Sequence, residues 1–232
     1  MNTRTDGTQL TAELPDLDPG IVLVDIEADL GVTPVQALLV DRLLADDGNA
    51  YWVDTAGTAR TTRLRELAPN QRYLDRVQVA RGFTAYQQTS LIDRLCGRLS
   101  GTDPTVVLAT GVDRLYRDDD VPADRADRLF VRSIAALARV ARIHAIPVVV
   151  TRAKEDAFSQ PLVNAAGRQL RCRTTQFGPR FEGVDDDTET LVYHTNDGWM
   201  QTTLAYWQEV LSHRARVHEE TRETTPMTPR VN

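Results

Sequence analysis

The stretch Ala50–Arg65, "AYWVDTAGTARTTRLR", decides the class of fold that we expect for this chain. Its apolar start predicts a strand at Tyr51–Asp54, which runs directly into a turn of small residues at Thr55–Thr58 and then into an arginine-rich helix. A strand, a turn and a helix in this order usually bring polar groups to the carboxyl edge of a parallel sheet, where α/β proteins bind ligands. Yet the turn offers no side chain that could activate a nucleophile.

Strand and helix patterns alternate on both sides of this stretch. Continuous apolar runs or strand-like patterns predict strands at residues 20–26, 76–83, 105–111 and 146–151, and helical spacing predicts helices at 33–48, 84–99 and 123–144. This alternation is typical of βαβ units, so we expect an α/β fold with a mainly parallel sheet flanked by helices. After Lys154 the pattern changes, and "RQLRCRTTQF" and "TETLVYHT" predict a C-terminal antiparallel extension.

The same patterns divide the chain into three parts. Residues 1–19 are polar and contain Pro15 and Pro19, which predicts a flexible N-terminal arm. Residues 20–211 form the predicted core domain, and 212–232 a polar tail that begins as a possible helix extension.

Composition excludes several classes of protein. No apolar run reaches about 18 residues, and the first residues lack the apolar segment of a secretory signal, so we expect a cytoplasmic protein with no membrane span. Cys96 and Cys172 show no metal-ligand spacing, so we expect free thiols and no metal site. The net charge of -6 argues weakly against a protein that coats nucleic acid. Lys154 is the only lysine, and with the many aspartates this composition suggests a salt-adapted host such as a haloarchaeon.

The segment Asp25–Val40, "DIEADLGVTPVQALLV", occupies the place of a phosphate-binding loop but lacks its chemistry. Such a loop needs glycines, a lysine for the phosphates and a hydroxyl for magnesium. Here Gly31 is the only glycine, no lysine precedes Lys154, Pro34 removes one N–H and Val35 has no hydroxyl.

The acidic residues of this segment lead to a second expectation. Asp25, Glu27 and Asp29 would repel a triphosphate by about 1 kcal/mol each, even through solvent. We therefore expect the helix start to be satisfied by the chain itself, with Thr33 as N-cap and Asp29 near the positive end of the helix dipole.

Four segments, taken together, resemble the RecA/RadA recombinase family, especially its archaeal RadA and RadB branch. They are "YWVDTAGTARTTRLRELA", "VQVARGFTAYQQTSLI", "DPTVVLATGVDRLYR" (the Walker B strand and its exit) and "LARVARIHAIPVVVT". They occur in the family's order and the resemblance covers residues 20–155, with a length similar to RadB. It implies a RecA-like sheet.

When the family's catalytic positions are placed on this sequence one by one, the resemblance implies that the residues needed for ATP hydrolysis have been replaced. The phosphate-binding loop falls on Gly31, Thr33, Pro34 and Val35, the Walker B aspartate on Thr110, the water-orienting glutamate on Ala56, and the γ-phosphate-sensing Asn-Gln pair on Arg152 and Ala153. The resemblance therefore implies a pseudo-ATPase with no catalytic residues and no cofactor. A different α/β family that never bound ATP is the alternative.

The resemblance implies an accessory or regulatory factor in DNA recombination or repair that binds DNA, protein or both. Its expected partners are single-stranded DNA and a RadA-type recombinase or another protein. The expected assembly is a monomer or small closed oligomer rather than a filament. The DNA-binding candidates are Arg168, Arg171, Arg173 and Arg180, for which a solvated strand edge with salt bridges is the alternative. Two other functions stay open: a KaiC-like regulatory interaction module without a DNA role, and a nucleotide binder without hydrolysis.

Aromatic and histidine residues do not suggest a further site. We interpret Trp199, Tyr206 and Trp207 as packing residues rather than a base-stacking platform, and His144 as a helix-end histidine. His213 and His218 fall in the predicted solvated tail.

Overall fold

A computed structural model of the chain describes residues 14–55, 57, 59, 61–119, 121–176, 178–184 and 203–224. Within the last of these ranges the side chains are described for residues 204–219.

Seven strands form one sheet in the order β3-β2-β4-β5-β1-β6-β7. The strands are β1 (Gly20–Ile26), β2 (Asn49–Thr55), β3 (Val77–Gly82), β4 (Pro104–Thr110), β5 (Pro147–Val150), β6 (Arg168–Thr175) and β7 (Gly178–Gly183). The helices are α1 (Thr33–Ala45), α2 (Thr61–Leu67), α3 (Gln71–Leu74), α4 (Ala85–Leu99), α5 (Ala123–His144), α6 (Gln160–Ala165) and α7 (Thr203–Thr224). The predicted α/β fold with a mainly parallel sheet is confirmed.

The predicted C-terminal antiparallel extension is confirmed in the pairing of β6 with β7. Strand β6 pairs in parallel with β1, in the register Val24 to Leu170, and only its other edge pairs antiparallel, with β7. The partner strand is thus "GPRFEG", which the sequence pattern did not indicate. The predicted strand "TETLVYHT" lies outside the described residues.

Two helical layers cover the sheet because alternate residues of each strand point to opposite faces. Val22 and Val24 face the layer of α1, α2, α3 and α7, while Ile21 and Leu23 face α4, α5 and α6. The residues predicted for the buried central strands are confirmed as buried: Val22, Val24, Val53, Val107, Leu108, Val148 and Val150.

The end of the predicted N-terminal arm packs on the core. Leu14 is buried among the residues of the α1 layer, and the backbone carbonyl of Asp16 accepts a hydrogen bond from Arg168 Nη1 at 2.6 Å. The packed core therefore includes Leu14, six residues before the predicted boundary at residue 20.

Helix α7 crosses the predicted boundary between the core and the tail at residue 211. Arg214 donates from Nε and Nη2 to the two carboxylate oxygens of Asp41 in α1, at 2.6 and 2.9 Å. His218 Nε2 lies 3.6 Å from the same carboxylate. The side chain of His218 thus belongs to an interhelical contact rather than to a solvated tail, and Arg214 fixes α7 onto α1.

This contact makes the free energy of unfolding depend on pH, because it stabilises the ionised form of Asp41. Burial raises the pKa of Asp41, but the His218 imidazole and the Arg214 guanidinium beside the carboxylate outweigh burial and hold the pKa below its usual value of 3.8. The folded chain then binds a proton at Asp41 more weakly than the unfolded chain. The stabilisation is therefore complete above the unfolded value of 3.8 and is lost as the pH falls through the lower folded pKa.

We expect Arg214→Ala to lower the free energy of unfolding by about 2 kcal/mol near neutral pH, because it removes two charge-assisted hydrogen bonds. The difference from the parent chain should shrink as the pH falls below about 3.8, where the Asp41 carboxylate takes up a proton. Urea unfolding at a series of pH values measures it. A stability difference that stays constant at pH values well below 3.8 would contradict the attribution of this pH dependence to Asp41.

Three further predictions concern the thiols, the aromatic residues and the absence of a membrane span. Cys172 is buried, Cys96 is half-buried and both are free, as predicted. Tyr206 and Trp207 lie in the core, and burial raises the pKa of Tyr206 to about 12, while Trp199 lies outside the described residues. In the described part of the chain, no helix is both long enough and apolar enough to cross a membrane.

Candidate functional site

The carboxyl edge of the parallel strands brings the predicted site positions together. Gly31 follows the end of β1, Thr110 is the last residue of β4, and Arg152 follows β5. Strands β4, β5 and β1 are neighbours in the sheet, so these three residues lie on one edge. Ala56 lies outside the described residues.

The connection from β1 to α1 is a tight turn that uses its own backbone donors. Leu30 N donates to Glu27 O at 3.0 Å and Gly31 N to Ala28 O at 3.4 Å. Gly31 has a φ of 56°, in the left-handed region that favours glycine. A phosphate-binding loop instead directs consecutive N–H groups outward at its ligand, so this turn lacks the geometry of one.

Two predictions about the start of α1 were wrong. Val32, not Thr33, is the N-cap residue, and it makes no side-chain capping bond, while Thr33 is already the first helical residue. Asp29 does not lie over the helix start: its Oδ2 accepts a hydrogen bond from Thr174 Oγ1 at 2.9 Å. Pro34 does stand in the first turn, where its missing N–H costs little.

An ion pair between β1 and β5 occupies the middle of the edge. Arg152 donates from Nε and Nη2 to the two carboxylate oxygens of Asp25, both at 2.7 Å. The side chains are 6% and 17% exposed, so the pair is nearly shielded from water. Arg152 also contacts Glu155 at 3.1 Å and Ser159 Oγ at 3.3 Å. The hydrogen bonds to Asp25 raise the pKa of Arg152 further, so it stays charged.

Thr110, at the position of the Walker B aspartate, is buried and uses its hydroxyl inside the sheet. Its Oγ1 accepts a hydrogen bond from Trp52 Nε1 of the adjacent strand at 3.1 Å. Just beyond it, Gly111 N donates to Thr151 Oγ1 at 2.8 Å, which ties β4 to the end of β5. The Thr110 hydroxyl thus accepts a hydrogen bond within the sheet and, unlike a Walker B carboxylate, brings no negative charge to the edge.

A second ionic cluster lies beside the first and was missed by the sequence analysis. The fully buried Asp113 accepts from the backbone N of Ala153 and from Arg117 Nε, the latter at 2.8 Å. Arg117 also donates to both carboxylate oxygens of Asp156, at 2.8 and 2.9 Å, and lies over the ring of Phe158. The hydrogen bond from Arg117 lowers the pKa of Asp156. One indication of this cluster in the sequence was that Asp113 lies three residues beyond the buried strand β4.

The end of β2 is also held by hydrogen bonds within the protein. Asp54 is fully buried, and its Oδ1 accepts from Ala59 N at 2.7 Å, which fixes the turn that follows the strand. Thr55 Oγ1 donates to Gln88 Oε1 at 3.0 Å, linking the strand end to α4. The turn of the opening stretch is therefore held by contacts within the protein.

Three of the four arginines predicted to bind DNA lie on one face of the β6–β7 pair. Arg171 and Arg173 are both 51% exposed, and Arg180, half-buried on β7, stands directly opposite Arg173. Arg173 is paired with Glu182 at 2.6 Å and Arg171 lies 4.0 Å from Glu155, while Arg168 is on the opposite face and donates to Asp16 O. For Arg171 and Arg173 the geometry matches the alternative, a strand edge with salt-bridge partners.

The family model described as Rad51 matches residues 31–167, more than half of the chain. The chain belongs to the Rad51 family. The match begins at Gly31 and ends at Gly167, so it includes the ends of β2, β4 and β5 at the sheet edge described above.

ATP with magnesium, the ligand that the resemblance implies, does not fit the residues of this Rad51-family chain. The resemblance puts Pro34 at the lysine position and Thr110 at the metal-ligand position, and the N–H groups of Leu30 and Gly31 donate within the turn before α1. Lys154, the only lysine of the sequence, is 70% exposed and lies 3.6 Å from Asp156. Among the described residues of the edge, Asp25 pairs with Arg152 and Asp113 pairs with Arg117.

Proposed function

We propose that this protein is a non-catalytic member of the Rad51 family that acts as an accessory factor in DNA recombination or repair by binding a protein partner. The observation that carries the proposal is the Asp25–Arg152 pair, which stands at the sheet edge between β1 and β5 with 2.7 Å contacts. Phosphoryl transfer depends almost entirely on positioned charge and metal. The side chains of this edge direct their charges at one another instead.

A groove beside the edge strand supports protein binding. Strand β3 ends the sheet formed by the described strands, and a groove of about 320 Å³ lies between β3, β2 and α4. Apolar side chains of Val53, Leu91 and Leu95 line it together with the two arginines Arg94 and Arg98. An extended peptide that adds a strand to β3 would place an apolar side chain in this groove.

The resemblance suggests which peptide this is. RadA-type recombinases carry a Phe-x-x-Ala peptide ahead of their core, and residues 1–19 of the present chain contain no phenylalanine. We therefore assign the groove to the Phe-x-x-Ala segment of a recombinase partner.

One thermal-melting experiment tests both halves of the proposal. A Phe-x-x-Ala peptide at about one hundred times its dissociation constant should raise the melting temperature by about 5 °C, whereas ATP with magnesium should leave it unchanged. Ala80→Glu, which places a carboxylate in the groove, should abolish the peptide effect, and Ser212→Glu on the exposed side of α7 should not.

The outcomes separate the candidate functions. A dose-dependent rise with ATP would favour a nucleotide binder without hydrolysis. No effect of the peptide would remove the recombinase contact and favour the regulatory module without a DNA role.

A further inference from the structure

Positive charge is concentrated on one helical layer of this acidic protein. Helices α4 and α5 contain seven arginines against three aspartates, a net charge of +4, while the whole chain carries -6. The rest of the chain therefore carries -10, and the α4–α5 layer is a basic face on an otherwise acidic molecule.

Five of these arginines form a continuous line along α5, which we call the arginine stripe: Arg125, Arg128, Arg132, Arg139 and Arg142. All five are exposed. At 3.6 residues per turn they fall within an arc of about 100°, and the first and last are about 25 Å apart along the helix axis. The opposite side of the helix is buried against the sheet through residues such as Phe130, Leu137 and Val140.

The arginine stripe is less neutralised than the arginines of β6. Arg128 and Arg132 pair with Asp124 and Asp93, but the two arginines are 73% and 66% exposed, and ion pairs this open to water are weak. Arg125 lies over the ring of Tyr86. No carboxylate of the described residues lies within ion-pair distance of Arg139 or Arg142. The guanidinium groups of the stripe are thus available to an outside anion.

We propose that the arginine stripe binds the phosphate backbone of double-stranded nucleic acid without reading its sequence. A line of arginines along one helix is the electrostatic footprint expected for a nucleic acid. A length of about 25 Å spans about seven phosphates of one strand, at 3.4 Å per phosphate. Binding of single strands relies on stacking of bases on aromatic side chains, and the one exposed ring described against the stripe, Tyr86, already lies under Arg125, which favours the duplex.

This site is distinct from the β6 arginines and from the groove beside β3. It lies on the helical layer, and it does not depend on the proposed loss of ATP hydrolysis or on the recombinase contact. Either proposal can therefore fail while the other holds. The exposed Val131 and Ile143 beside the stripe make an acidic protein segment the competing occupant.

The test is fluorescence anisotropy of the full chain with a labelled 24-base-pair duplex, repeated over a series of salt concentrations. Removing two phosphate contacts through Arg139→Gln with Arg142→Gln should weaken binding at least tenfold at about 0.1 M salt and lower the slope of log K against log salt by about 2. The matched control is Arg171→Gln with Arg173→Gln, which removes the same charge from β6. We expect the control to bind within twofold of the parent chain.

Several results would overturn the proposal. They are the absence of duplex binding at about 0.05 M salt, a larger loss in the control than in the stripe variant, and tighter binding of poly-glutamate than of the duplex. If the double variant does not fold by circular dichroism, Arg139→Gln alone serves, with an expected slope change of about 1. An unchanged slope would then count against the site.

Discussion

Replacing Arg152 with alanine should lower the free energy of unfolding by about 3 kcal/mol, because it leaves the Asp25 carboxylate at the sheet edge without its bidentate partner. The arginine is 6% exposed and the aspartate 17%, so water cannot fully replace the lost contacts. Guanidinium unfolding of the parent and the variant measures the difference.

Two controls isolate the ion pair. Arg132→Ala removes an arginine whose pair with Asp93 is open to solvent, with the arginine 66% exposed, and should cost less than about 1 kcal/mol. Removing both members, through Asp25→Ala with Arg152→Ala, should cost less than the sum of the two single changes because no unpaired charge remains. If Arg152→Ala were no more destabilising than Arg132→Ala, the pair would not hold the edge.

Trp207→Ala should lower the free energy of unfolding by about 3–5 kcal/mol, the range for deleting a large aromatic side chain from a core. Trp207 is 1% exposed and packs against Phe181 of β7, with the ring centroids 5.7 Å apart. Arg216→Ala, an exposed position on the same helix, is the matched control and should change stability by less than about 0.5 kcal/mol. Equal stability of the two variants would show that α7 does not pack on the sheet.

The order of the elements could be predicted because each central strand is a continuous apolar run. Strands β1, β4 and β5 are buried on both faces, so their sequences contain almost no polar residue. The helices α4 and α5 have one apolar face each, and their bounds lie within a residue of the prediction. Strand β7 was missed because "GPRFEG" is short, begins with glycine and proline, and alternates only weakly.

The contacts of the site were harder to predict than the edge that holds them. Asp25 and Arg152 are 127 positions apart, and only the strand order β5-β1 makes them neighbours. Arg152 was noted as a replacement in a family position, but nothing local indicates its partner. The cap at Thr33 failed for another reason: a shift of one residue in the helix start moves the side chain from a capping position into the first turn.

On the proposed non-catalytic function, the paired charges at this edge hold the sheet together without a triphosphate. A buried charge without a partner is costly, so a sheet edge built around a charged ligand must find replacement partners when that ligand is no longer used. In this chain Asp25 is paired with Arg152, and Asp113 with Arg117. We interpret these pairs as the internal substitutes for ligand contacts.

The most direct test of the central claim is the release of inorganic phosphate from ATP in the presence of magnesium. It should be measured with the purified chain over a range of salt concentrations, since the composition suggests a salt-adapted host. The account predicts no release above the protein-free blank, for the parent chain and for Pro34→Ala alike. Magnesium-dependent release that a substitution within Gly31–Gln36 abolishes would contradict it, because that result would place a working phosphate site where the structure has a closed turn.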